Sequence, residues 1–121
     1  MRKLLLANTV VLPDQLLMPG AVLIEDNVIV KVGNMLDEVV DEVEDFGDMI
    51  LSPGFFDLHI HGCMGQLTED GAEAVIHLSN FLPSTGTTSF LATAMTKKGL
   101  LNAEKAMSMP QKAQIKGIHM E

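Results

Sequence analysis

A chain of 121 residues has the length of one ordinary domain, and an apolar content of 47% is too high for a disordered polymer. A formal charge of −8, from 8 basic against 16 acidic residues, argues against nucleic acid or an anionic membrane surface as the principal partner and leaves a small anionic substrate open. The single cysteine, Cys63, excludes an internal disulfide and fits a reducing, cytoplasmic setting.

Met1 to Ala7 imitates the start of a secretion signal. The apolar run fails at Asn8-Thr9, however, and no cleavage-like stretch follows. No run approaches the ~20 apolar residues needed to span a bilayer. Residues 4–12 read as a strand, turned at Pro13-Asp14. Ala21 to Glu25 and Val28 to Val32 read as a hairpin around Asp26-Asn27, because Asn tolerates positive φ, and Gly33-Asn34 ends it. Short antiparallel strands of this kind suggest part of a small β-sandwich. Asp37 to Asp48 is acidic without a Lys or Arg. Its glycine and carboxylate spacing matches no calcium loop, so it reads as a solvated strand or loop.

Pro53 to Cys63 holds the densest chemistry. Phe55 to His61 is a strand-like run, launched by Pro53-Gly54 and stopped by Gly62. Alternate side chains of a strand share a face, so Asp57, His59 and His61 point one way and Phe56, Leu58 and Ile60 the other. Two imidazoles this close on a stiff strand suit zinc, iron or nickel. The pair alone is a weak signal, because two polar residues at a strand end, hydrogen-bonded to neighbours or water, would look the same.

Glu69 to Leu82 reads as a helix capped by Thr68, with Gly71 an early weak point, Ala72, Val75, Ile76, Ser79 and Leu82 as its buried stripe and His77 off it, facing solvent. Thr87 to Ala94 reads as a second buried strand, Lys98 to Met107 as a second helix ended by Pro110, and Ile115 to Glu121 as a third strand. Strand, helix, strand, helix, strand implies a parallel sheet with right-handed crossovers. The pattern does not separate a closed barrel from an open doubly wound sheet. No Gly-x-Gly-x-x-Gly follows the first strand, so a dinucleotide fold has no support.

The phrase Pro53-Gly54-Phe55-Phe56-Asp57-Leu58-His59-Ile60-His61-Gly62 resembles the first barrel strand of the amidohydrolase superfamily. Gly117-Ile118-His119-Met120-Glu121 resembles the start of the Gly-x-His-x-Glu-Gly-Pro phrase of the N-acetylglucosamine-6-phosphate deacetylases, and Gly86 to Thr93 resembles their second strand. The three motifs occur in that family's order and span nearly the whole chain. The resemblance implies an α/β fold: the first three strands of a (β/α)₈ TIM barrel over residues 53–121, preceded by part of a small β-sandwich domain over residues 1–52. It implies metal-dependent hydrolysis of the acetamido group of N-acetylglucosamine 6-phosphate, giving glucosamine 6-phosphate and acetate. His59, His61 and Glu121 match the family's metal ligands, for one or two divalent ions, zinc or iron. The catalytic Asp, the later histidines and the sugar-phosphate contacts would lie beyond residue 121, so the chain reads as an N-terminal fragment, inactive alone.

The resemblance further implies a cytoplasmic homodimer whose partner is a small amino-sugar phosphate, with no nucleic acid and no membrane. Asp57 and His119 read as supports for the ligands and Thr93 as a barrel-lining residue. Cys63 departs from the family's usual glycine and reads as an incidental loop residue. Two alternatives stay open: another amidohydrolase of dihydroorotase-, hydantoinase- or adenine deaminase-like type, and a non-catalytic truncated module.

Overall fold

The computed structural model describes all 121 residues, Met1–Glu121. Contacts divide the chain into two units, Met1–Pro53 and Gly54–Glu121.

The first unit is built from strands alone: β1 (Arg2–Ala7), β2 (Thr9–Val11), β3 (Leu16–Leu17), β4 (Gly20–Glu25), β5 (Val28–Gly33), β6 (Glu42–Asp45) and β7 (Ile50–Leu51). One sheet runs β5-β4-β1-β6 and a second runs β3-β2-β7. The single strand expected over residues 4–12 is therefore two strands in two sheets. The break falls at Asn8, whose amide donates to the Gly47 carbonyl at 2.8 Å instead of to a ladder partner. That partner lies 39 residues downstream, beyond the reach of local pattern. The β4–β5 hairpin turns where expected. Asp26 and Asn27 take φ values of 47° and 70°, both in the left-handed region that a tight two-residue hairpin loop requires.

The acidic stretch supplies β6, an outer strand paired parallel to β1. Its carboxylates face solvent and meet the few cations nearby. Lys3 Nζ lies 2.6 Å from Glu44 and 3.1 Å from Glu42, and Arg2 lies 3.2 Å from Glu38. Hydrogen bonds that the Lys3 ammonium donates to Glu44 and then to Glu42 hold its pKa above the ordinary range. Two small apolar clusters pack against this unit's strands, one around Leu4, Ala21 and Leu23 and one around Val10, Leu17 and Val22.

The second unit begins with β8 (Phe55–Ile60) and a short hairpin, β9 (Gly62–Cys63) and β10 (Gln66–Leu67). A 3₁₀ turn (Thr68–Asp70) leads to α1 (Ala72–Phe81), a second 3₁₀ turn (Leu82–Thr85), β11 (Thr87–Ala94), α2 (Lys97–Met107) and β12 (Gln114–Met120). The sheet order is β12-β11-β8 with both pairings parallel, so all three strands end on one rim. Helices fill both crossovers, which a parallel pairing needs. The core lies between helices and sheet: Val75, Leu78 and Leu82 meet Phe90, Ala92 and Ile115. Ser79 is buried among them without an orphaned hydroxyl. Its Oγ donates to the Ala113 carbonyl at 2.7 Å and accepts the Lys112 amide at 3.1 Å.

The first helix departs from expectation at its start. Gly71, at φ 153°, separates the 3₁₀ turn from α1, so Thr68 caps nothing. Its hydroxyl is buried and donates instead to the His61 carbonyl at 3.0 Å, alongside its own amide at 2.8 Å. The second helix gains a cap that sequence reading overlooked: Thr96 Oγ1 accepts the Gly99 amide at 3.1 Å.

Candidate metal centre

Period-two alternation and parallel pairing build the site together. β8 brings His59 to its end with His61 just past it, and the residue after β12 is Glu121. The shared rim lets side chains 60 residues apart in sequence converge. His61 Nε2 lies 2.9 Å from Glu121 Oε2 and His59 Nε2 lies 3.7 Å from Glu121 Oε1. One donor atom from each of the three falls within 4.8 Å of the other two. All three side chains are partly open to solvent, His61 the least, at 31%.

This donor set fits a divalent cation. Two neutral imidazoles supply nitrogen, one carboxylate supplies charge, and the atoms already face one another. His61 Nδ1 is buried without a hydrogen-bond partner, so that ring is held by packing and through its Nε2 side.

The neighbouring residues support the set. Asp57 Oδ1 accepts the backbone amide of His59 at 3.0 Å, so its carboxylate braces the strand that carries the ligands. The His119 ring stacks on His59 with centroids 4.5 Å apart and planes 29° apart, while His59 and His61 are tilted at 5.2 Å. Thr93 is fully buried, and its Oγ1 accepts the Ile60 amide at 2.9 Å. The β8–β11 register shifts there, so the hydroxyl takes a bond that the ladder misses.

Two other residues with ligand chemistry do not join the donor set. His77 is exposed on α1, with Nδ1 2.7 Å from Gln66 Oε1. Cys63 sits in the β9–β10 hairpin paired with Gln66, and burial pushes its thiol pKa up, away from the thiolate that would bind metal. The hairpin depends on Gly62, where an added Cβ would lie 1.9 Å from the Gln66 carbonyl oxygen. Sequence reading placed Glu69 at a helix start and gave it no part near the rim. In the fold its carboxylate accepts the Met95 amide at 2.7 Å, immediately past β11. No local periodicity announces that contact.

No family model matches the chain. Among curated proteins it is similar to an N-acetylglucosamine-6-phosphate deacetylase of Bacillus subtilis, 36% identical across 66% of this chain and 23% of the relative. It is similar to one of Rattus norvegicus, 32% identical across 84% of this chain and 30% of the relative. Among solved structures it is similar to N-acetyl-D-glucosamine-6-phosphate deacetylase from Mycobacterium smegmatis, with a TM-score of 0.78 and 28% identity over 98% of this chain and 35% of that one. The chain thus spans between 23% and 30% of the length of these curated relatives. Sequence motifs, mixed α/β fold and relatives agree: the chain belongs to the N-acetylglucosamine-6-phosphate deacetylase family of amidohydrolases.

Proposed function

We propose that the protein carrying this chain hydrolyses the acetamido group of N-acetylglucosamine 6-phosphate to glucosamine 6-phosphate and acetate, using a divalent metal held by His59, His61 and Glu121. The observation that carries the reading is the convergence of those three donors on the rim of a parallel sheet, in a chain whose relatives bear that activity's name. Residues 53–121 then form the first three strands of a (β/α)₈ barrel, in which reacting groups sit at the C-terminal strand ends. Residues 1–52 form part of a small β-sandwich domain. The cytoplasmic, homodimeric state is part of the same proposal. No helix is long and apolar enough to cross a membrane.

When bound, a divalent cation supplies an electrophile for the amide carbonyl and acidifies water, which answers both weaknesses of amide hydrolysis. The residues here do the rest of what this region contributes. His59 and His61 offer lone pairs from a stiff strand, so little side-chain freedom is lost on binding. Glu121 offsets the positive charge. Asp57 and His119 hold the first imidazole in place through its backbone and its ring face. Proton transfer is assigned to an Asp beyond residue 121.

The test is turnover of N-acetylglucosamine 6-phosphate by the protein carrying this chain, before and after chelation. Stripping the metal should cost at least ~100-fold in rate, and zinc or ferrous iron should restore it, since the metal supplies several kcal/mol to the barrier. Full activity in verified metal-free protein contradicts the proposal. Turnover of a cyclic ureide but not of the sugar phosphate moves the reading to another amidohydrolase, and no turnover of either favours a non-catalytic module.

A further inference from the structure

Glu69 touches none of the three metal-donor side chains, yet a single peptide group separates its carboxylate from the backbone of Glu121. Glu69 Oε1 accepts the N–H of Met95 at 2.7 Å. The carbonyl of that same peptide unit belongs to Ala94, and it accepts the N–H of Glu121 at 3.0 Å. The chain of contacts is carboxylate, peptide, ligand backbone. We infer that Glu69 is a positioning residue: it fixes the Ala94–Met95 peptide at the end of β11 and so sets the height and direction from which Glu121 reaches the metal. This inference rests on the metal-centre reading above.

Three features make the arrangement more than a loop contact. First, an acceptor on a peptide N–H polarises the opposite carbonyl, so the bond to Met95 strengthens the bond that Glu121 makes. Second, Glu69 is itself fixed. The preceding Thr68 is 1% exposed and donates twice to the His61 carbonyl, and Asn102 Nδ2 donates to the Thr68 carbonyl at 2.9 Å. The same dipeptide therefore ties down the His61 end of β8 and the Glu121 docking point on β11. Third, α2 gives way to it. A Cβ on Gly99 would lie 2.4 Å from Glu69 Oε1, so the helix approaches the carboxylate this closely because residue 99 has no side chain. Glu69 Oε2 is buried with no partner, a desolvation cost that packing alone does not require.

Gly99 offers a way to move the carboxylate without removing it. Glu69→Ala, Glu69→Gln, Gly99→Ala and the Glu69→Ala/Gly99→Ala double variant would be compared in the complete protein that carries this chain. Circular dichroism would check folding, and cobalt(II) would be titrated into the metal-free form by visible absorption. Removing a group that orients a ligand typically costs ~10–100-fold in metal affinity. Glu69→Ala should therefore raise the cobalt dissociation constant about tenfold and alter the ligand-field bands. Glu69→Gln keeps an oxygen for Met95 and should stay closer to wild type. Gly99→Ala should weaken cobalt binding as Glu69→Ala does, although alanine favours a helix more than glycine. In the double variant the added Cβ has no carboxylate to displace and only the Ala94 Cβ, at 3.1 Å, left to crowd, so its cobalt affinity should stay close to that of Glu69→Ala alone. Wild-type cobalt affinity and spectrum in both Glu69→Ala and Gly99→Ala overturn the inference, as do two losses that multiply in the double variant. Should Glu69→Ala fail to fold, Gly99→Ala decides alone by the same criterion. His61→Ala separates the two readings. If it binds cobalt as tightly as wild type, or wild type binds none, the metal-centre reading falls and this inference with it.

Discussion

On the proposed function, replacing Glu121 by Ala should lower deacetylation of N-acetylglucosamine 6-phosphate by about a thousandfold in the protein carrying this chain, and His59→Ala and His61→Ala should each remove most of the activity. The size follows from what is lost. Glu121 is the only carboxylate in the donor set. Without it, two neutral imidazoles face a divalent charge with nothing to offset it. A metal's contribution of several kcal/mol to the barrier converts to about three powers of ten when about 4 kcal/mol is forfeited. His61 stands 2.9 Å from Glu121 and His59 stands 3.7 Å away, so each loss opens the same cluster. His77→Ala is the control. Its ring is exposed and bonded to Gln66, and its removal should leave activity within about twofold, as for surface substitutions in general. Equal damage from His77→Ala would show that the wrong histidines have been assigned.

The second large effect concerns the 121 residues made alone. They should show deacetylation no faster than the metal-free control, with aggregation or a broad melt. β8 and β12 each pair with β11 and leave their other edges open, which exposes rows of unpaired backbone groups. Phe55, Phe56 and Leu58 on β8 are 69%, 50% and 61% exposed, an apolar surface that parallel strands normally bury. Three donors would remain, with no assigned group to manage the protons of amide hydrolysis. Calorimetry and light scattering decide the point. A sharp two-state melt of a monomer contradicts the barrel-segment proposal and favours a self-contained module.

Much of the second unit was legible because its signals are local. β-branched and apolar residues bounded by Gly86 marked Thr87–Ala94 to the residue, and alternation along β8 put His59 and His61 on one face. Their meeting with Glu121 was legible only through the parallel order of the strands. What escaped was set by partners outside the element concerned. Asn8 breaks its strand to bond Gly47, β6 pairs with β1 across an intervening hairpin, and Thr68 leaves the cap position to serve His61. Gly71, the weak point of the expected helix, is where the structure breaks it: at φ 153° one helical turn ends before the next begins. Local propensity cannot weigh such contacts, since the energy that decides them comes from outside the element itself.

On the proposed function, His59, His61 and Glu121 share one metal ion. Anomalous diffraction from zinc-loaded crystals of the protein carrying this chain, recorded on both sides of the zinc edge, tests it most directly. An anomalous peak should lie in contact with both imidazoles and the Glu121 carboxylate and be absent from crystals of Glu121→Ala. A zinc peak elsewhere, with these three side chains paired only to one another or to water, would contradict it.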